Sequence, residues 1–502
     1  MQTITRATSA LLLAGASATA LCASLSAACA DQPVLLPNSL IIASSTYDNS
    51  QGAIAGLTIG TKLAHSESQT STAIAGNDYV NVWNNTGVDG SFGVTAPIHL
   101  STVEPHSGHV YSSVTVPTDQ VVTSFASKSE LGIHIAQDAN GPHLTLLGYA
   151  GAGVGALDVS NSDAVAGQDP TNPVTFAFGS NYAFPRTIVS MDRNGTFSYT
   201  PTIDYGGDNG RSILLGSNGL YYTVGNSNNG DASTFAPNGT NPDVTTTTGL
   251  EAVNPINAPV SNVTIPPGNS AEVDPFLQFT VNGKLDKAGK DNNYRGIAEF
   301  GGALYFTKGS GTNGIDTVYS ISPLPTVDTA ASTKVSVVPG FPTDFARVSG
   351  GDYTPFAVFF ANATTMYVTD EGGGNTLDQV GHAGLEKWSL VNGAWQFDYV
   401  LTKGAIGVTD TNLNGYDGQY PDVTTVGLRN LAGHVDGNTV TLWATTATSS
   451  ASGNTGADPN KVVQITDNLA ATTLTGNVAK ETFSVVAGPT YGKVYRGIAY
   501  VN

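Results

Sequence analysis

The stretch "YRGIAYVN" (495–502) ends the chain, and its reading decides the fold. Its first five residues also stand at 294–298, inside "YRGIAEFGGALYFTKGSGTNGIDTVYSIS" (294–322). There the motif runs on into a second strand, a turn and a third strand. At the C-terminus the copy stops after one strand. At the other end of the protein, "NSLIIASSTYDNSQGAIAGLTIG" (38–60) aligns with "GALYFTKGSGTNGIDTVYSIS", beginning at the second strand and reaching the third. The N-terminal repeat therefore lacks its innermost strand, and 495–502 supplies it. A ring closed in this way leaves no free sheet edge.

The rest of the chain repeats the same unit. Short runs of Val, Tyr, Phe, Thr and Ile alternate with Gly, Asn and Asp turns, and helical periodicity is nearly absent. The hairpins "RSILLGSNGLYYTVGN" (211–226), "RGIAEFGGALYFTKGSG" (295–311), "FAVFFANATTMYVTDEGGG" (356–374) and "VGLRNLAGHVDGNTVTLWATTA" (426–447) give first and second strands. "TGLEAVNP" (248–255), "NGIDTVYSI" (313–321) and "AGLEKWSL" (383–390) give third strands, with Glu251, Asp316 and Glu386 at matching positions. "MDRNGTFSYT" (191–200) and "VNGAWQFDYVL" (391–401) carry the turn into the fourth. Units too small to bury a core alone, each of four antiparallel strands, are propeller blades. Second strands at 40–44, 79–83, 144–149, 220–224, 304–308, 366–370 and 442–446 predict an all-β, seven-bladed β-propeller over 31–502. Insertions fall at about 150–185 and 227–275, and we expect a monomer.

Residues 1–30 read as a signal peptide. Arg6 precedes an apolar run, and Ala28-Cys29-Ala30 fits an A-x-A cleavage site. A lipoprotein site at Cys29 would want an aliphatic residue three positions earlier, where Ser26 stands. Cys22 and Cys29 leave with this segment, so the mature chain has no thiol for a disulfide, a nucleophile or a metal site. No later run is long enough to span a bilayer. The expected location is secreted, extracellular or periplasmic. The net charge is −19, with 20 Lys and Arg in 502 residues; losing Arg6, the one charge in 1–30, makes it −20. That argues against nucleic acid as a partner.

Arg211, Arg295 and Arg496 start equivalent first strands, and Tyr294 and Tyr495 precede two of them. Asp208, Asp291 and Asp352 stand close by. A set of guanidinium groups around the channel mouth suits a carboxylate, sulfate or phosphate, hence an anionic glycan or small anionic ligand. The competing reading is that each Arg ties adjacent blades together. In "VTDEGGGNT" (368–376) the repeat does not call for Asp370 and Glu371, so they are candidates for a base or a cation ligand. His134 in "LGIHIAQ" (131–137) is the one histidine placed near the channel, and a candidate acid–base; Arg429 lies on another inner strand. His99, His106 and His109 fall at an outer turn, assigned to the second blade. Asp410, Asn412 and Asn414, followed by Gly415, resemble the first half of a Ca²⁺ loop, but Pro421 stands where the closing Glu belongs.

The run from "SKSE" through "LTLLGY", "GALDVSNS", "IVSMDRNGTFSYT" and "NGRSILL" to "YYTVGN" (127–226) resembles secreted bacterial seven-bladed β-propeller proteins without an assigned activity. The resemblance implies the fold and export and carries no catalytic residue across. Surface propellers of the YVTN type are similar in architecture, and "MYVTDE" (366–371) echoes their signature. Two functions follow as expectations. One is a lyase or hydrolase of an acidic glycan, and the other is a non-catalytic binding or surface-interaction propeller.

Overall fold

The computed structural model describes residues 34–48, 89–138, 141–156, 185–202, 208–226, 248–258, 268–275, 292–311, 313–349, 353–373, 382–411, 421–452 and 455–502, with short pieces between them. These residues build a β-propeller. In the first blade, Lys493–Val501 lies innermost, followed outward by Ser39–Thr46, Ile98–Val103 and Val110–Thr115. The C-terminal strand pairs with Ser39–Thr46 from Ser39↔Val501 to Thr46↔Lys493, so the closure expected from "YRGIAYVN" is the one observed. The third-strand position of this blade is held by Ile98–Val103, where the end of 38–60 was expected; that end lies outside the described residues.

The second blade runs outward through His134–Asp138, Gly141–Ala150, Arg186–Asp192 and Phe197–Thr202. The third is Gly210–Leu215, Tyr221–Gly225, Gly249–Val253 and Ser270–Glu272; the fourth is Ile297–Phe300, Ala303–Lys308, Thr317–Ile321 and Ser336–Val337. Pro355–Asn362, Thr365–Asp370, Gly384–Val391 and Ala394–Leu401 make the fifth. The sixth begins at Val423–Asp436 and continues through Thr439–Ser450, Val462–Asn468 and Ser484–Ala487.

The count among the described residues is therefore six, where the spacing of second strands predicts seven. Among the described residues the inner strand of each blade packs on the next, and Lys493–Val501 touches both Val423–Asp436 and His134–Asp138. The remaining second-strand candidate, 79–83, lies outside the described residues.

Burial explains why these strands stack. Within the first blade, Ser39–Thr46 is buried almost throughout, Ile98–Val103 alternates, and Val110–Thr115 is largely exposed. Near the axis both faces of a blade are covered by neighbours; toward the rim the blades splay apart. Each of the six junctions accordingly holds its own apolar cluster. Ile41, Leu100, Leu144 and Met191 join blades one and two; Leu147, Ile213 and Tyr221 join two and three. Tyr222, Leu250, Phe306 and Tyr319 fill the next, then Val318, Met366, Val368 and Trp388. Tyr367, Leu385, Leu428 and Leu442 join five and six, and Trp443, Ile42, Tyr495 and Ile498 close the ring.

The Arg-Gly pair of the repeat now has a cause. A Cβ on Gly296 would run into the Phe356 carbonyl of the next blade, and one on Gly497 into the Leu131 carbonyl. These glycines let backbones of adjacent inner strands approach directly. Gly296→Val is expected to cost about 1–3 kcal/mol through forced separation of the fourth and fifth blades, measured as a lowered urea midpoint. A midpoint equal to wild type would show that the junction has room to spare.

Candidate functional site

The mouth of the channel lies where inner strands begin and second strands end. The fifth blade delivers two acids there. Thr365–Asp370 ends on Asp370, and Gly372, at φ +73°, turns the chain away immediately after Glu371. The turn points the two carboxylates into different surroundings.

Asp370 is buried and accepts hydrogen bonds from the Thr354 amide (2.7 Å), the Thr354 hydroxyl (2.6 Å) and the Gly372 amide (2.7 Å). Burial, with the charge of nearby Glu386, still pushes its carboxyl up to about 7 from an ordinary 3.8. Glu371 is equally buried, and burial alone would raise it as well. Lys128, Arg295 and Arg429 outweigh that and hold it down at about 2. Its Oε1 lies 3.3 Å from Lys128 Nζ and 3.6 Å from Arg295 Nη2, and its Oε2 accepts from Arg429 Nε at 3.1 Å. The three cations come from the segment entering the second blade, from the fourth blade and from the sixth, and they meet at Glu371.

The other candidate arginines are engaged between blades. Arg211 donates to Asn209 Oδ1 (2.9 Å), and to Asn293 Oδ1 and the Tyr294 carbonyl (2.8 Å) of the segment leading into the fourth blade. Arg496 donates to the carbonyls of Phe125 (3.0 Å) and Gly456. Tyr294 packs its ring on Phe306 and Tyr319 in the core. Tyr495 is buried, with its amide and carbonyl both held by Asn460 (2.7 and 2.8 Å) and Lys493 over its ring. Asp208 accepts from the Asn209 amide and Asn226, while Asp291 and Asp352 lie outside the described residues. The repeat equivalence of the arginines is structural: each spans to the next blade.

His134 does lie on an inner strand. Its Nδ1 is 2.7 Å from the Ile213 carbonyl of the third blade, and burial lowers its pKa against the raising effect of the Ile213 and Ile297 carbonyls. The third-strand acids, alike in sequence, differ in register. Glu251 lies opposite Thr223, whereas Glu386 lies opposite Val368, and Asp316 precedes Thr317, which lies opposite Lys308. Asp316 pairs with buried Lys308 at 2.6 Å. Glu386 accepts from His382 Nδ1 (2.6 Å), Trp388 Nε1 (2.8 Å) and the Tyr353 hydroxyl (3.1 Å). Glu251 is wholly buried and has no hydrogen-bond partner among the described residues; burial and the neighbouring Asp204 and Glu272 push its carboxyl well above the ordinary range.

Asp410 is ion-paired with Lys461 at 2.7 Å, and Asn412 and Asn414 lie outside the described residues. Among the described residues no three His, Cys, Asp or Glu side chains are grouped to hold a metal ion. His106 and His109 sit at the outer turn between Ile98–Val103 and Val110–Thr115, far from the channel as expected, but in the first blade and not the second. His99 bonds Thr46 and Thr115 on neighbouring strands.

No protein-family model matches this chain, and no curated relative matches it. Among solved structures, it is similar to the PQQ-bound aldose sugar dehydrogenase from Streptomyces coelicolor, at 13% identity and TM-score 0.36, over 77% of this chain and 93% of that one. An ulvan lyase of polysaccharide lyase family PL25 is 8% identical at TM-score 0.32, over 81% and 92%. A GH43 β-xylosidase/α-arabinofuranosidase from a compost metagenome is 8% identical at 0.30, over 74% and 96%. At these values no function passes to this chain, and its reading rests on its own residues. No helix among the described residues is long and apolar enough to cross a membrane.

Two residues of the site lie outside the sequence-based candidates. Lys128 is an isolated cation in "SKSE" (127–130), and the signal available was scarcity: only 20 Lys and Arg serve 502 residues. His382 precedes a third strand with no motif around it. Its ring packs beside Tyr353 and the exposed ring of Phe397.

The two acids at 370 and 371 bias stability in opposite directions with pH. A raised carboxyl favours the folded state fully below its unfolded value and loses that contribution as pH rises through its folded value. For Asp370 the loss runs from about 4 to about 7, and for Asp204, lifted to about 6, over a similar range. A depressed carboxyl contributes above its unfolded value; Glu371 loses its share only as pH falls toward about 2. The urea midpoint is therefore expected to be highest in mild acid and to fall as pH rises through about 7. Asp370→Asn should flatten that fall. An unchanged slope in the variant would remove Asp370 from the explanation.

Proposed function

We propose that this chain is an exported, non-catalytic binding propeller that holds a carbohydrate ligand at the channel mouth. One observation carries the reading: the candidate acid–base groups at the mouth are already committed. Glu371, held at about 2 by three cations, does not take up a proton near neutrality. Asp370 is closed in by Thr354 and Gly372, and His134 is held to a carbonyl of the third blade. In the loop entering the innermost strand of the first blade, Tyr491 is exposed, and its ring offers a face suited to a sugar. The apolar run and A-x-A site of residues 1–30 support export.

A glycan lyase or hydrolase is the second reading, and His382 favours it. Its Nδ1 faces buried Glu386, itself fixed by Trp388 and Tyr353, while the side chain is 30% exposed. A carboxylate that orients an imidazole in this way is how general bases are held. Purified protein incubated with alginate, polygalacturonate and neutral xylan separates the two readings. Binding without unsaturated product or new reducing ends is expected. Product that disappears in His382→Asn would overturn the non-catalytic reading.

A further inference from the structure

We propose that Lys128, Arg295 and Arg429 form an oxyanion site at the channel mouth, for the carboxylate or sulfate group of an acidic sugar. This rests on the binding reading above and names the chemistry of its ligand. Three cations meet on one carboxylate, Glu371. Asp458 also acts on Arg429 and Asp316 on Arg295, but Asp458 Oδ1 accepts from Ser450 and Ser452 and Asp316 is ion-paired with Lys308, so with Lys308 counted the balance stays positive. In a protein of charge −19 this is an unusual concentration of positive charge.

The second observation concerns hydrogen bonds. Arg429 Nη1 and Arg295 Nε are buried, and neither has a hydrogen-bond partner among the described residues. Arg295 and Arg429 are 5% and 4% exposed, so bulk water does not readily satisfy those groups. A buried N–H with no acceptor is a standing cost, and a guanidinium with open N–H groups is matched best by a planar or tetrahedral oxyanion. Lys128, at 27% side-chain exposure, connects the cluster to solvent and gives an arriving anion its first contact.

Glu371 plays two parts in this arrangement. It holds the three cations together, and it sets the remaining charge low enough that one anion neutralises much of it. Like charges drawn from three blades would otherwise push the ring apart.

The test is a titration of the full mature chain with sodium glucuronate and, separately, sodium sulfate. Ionic strength is held constant with NaCl, and binding is read by calorimetry and by thermal shift. Saturable binding of at least one anion is expected, with about tenfold or greater weakening in Lys128→Gln and recovery in Lys128→Arg. The two arms distinguish a carboxylate-bearing from a sulfate-bearing sugar. Circular dichroism of Lys128→Gln verifies that this partly exposed substitution leaves the fold intact. No saturable binding of either anion, or equal affinity in wild type and Lys128→Gln, overturns the site. The outcomes also separate this inference from the reading beneath it. Binding of neutral xylan alone would sink the oxyanion site and spare the binding propeller. Glycan cleavage would sink the non-catalytic reading and leave the anion measurement standing.

Discussion

Deletion of residues 493–502 is expected to yield a chain that does not reach the native ring. The lost strand pairs along the whole of Ser39–Thr46 and belongs to two junctions at once. Tyr495 and Ile498 pack with Trp443 and Val462 of the sixth blade, while Ala499 and Val501 pack with Leu144 and Val189 of the second. The polar ties go as well: Asn460 loses the Tyr495 backbone, and the carbonyls of Phe125 and Gly456 lose Arg496. Two apolar faces and an unpaired inner edge would then meet water together. The combined loss exceeds the roughly 5–15 kcal/mol by which a typical protein is stable. Near-ultraviolet circular dichroism and urea unfolding would check this. A cooperative transition at the full-length midpoint would show that the clasp is dispensable.

Glu371→Gln is expected to destabilise the protein by about 3–5 kcal/mol, the usual cost of removing one partner from a buried ion pair. The amide is nearly isosteric, so little packing changes. What changes is that Lys128, Arg295 and Arg429 lose their shared counter-charge while the two arginines remain buried. Adding Lys128→Gln should recover part of the loss, because one of the three mutually repelling charges is then gone. Sulfate at constant ionic strength should raise the urea midpoint of Glu371→Gln more than that of wild type. An effect below about 1 kcal/mol, typical of exposed pairs, would mean that water reaches the cluster and screens it.

Much of the fold was legible because strand, turn and strand are written in adjacent residues. The hairpins at 211–226, 295–311 and 356–374 are all where their periodicity placed them. The third strand of the first blade was not legible, because Ile98–Val103 reaches Ser39–Thr46 across a long intervening segment that no local pattern measures. Blade number is harder to read for a related reason: six blades lie among the described residues, and the seventh candidate, 79–83, lies outside them. Counting second strands counts candidates, whereas closure is set by how many apolar junctions complete the circle.

The site was legible residue by residue but not as a set. Arg295, Glu371 and Arg429 each stood out, yet they appeared to belong to different features. Arg211 and Arg496 matched Arg295 in the repeat, but their side chains answer to local carbonyls and amides. Glu251, Asp316 and Glu386 share a sequence register and diverge through strand offset alone.

From sequence alone came the propeller architecture, the antiparallel blades and the clasp of 495–502 against the N-terminal blade. These follow from short-range periodicity and from one repeated motif, both of which are properties of neighbouring residues. Only the tertiary structure decided which charges meet. Lys128 and Glu371 lie 243 positions apart, and Arg429 lies 58 positions beyond Glu371. No pattern along the chain relates them, because their contact is made by ring closure, which brings the ends of distant strands to one mouth.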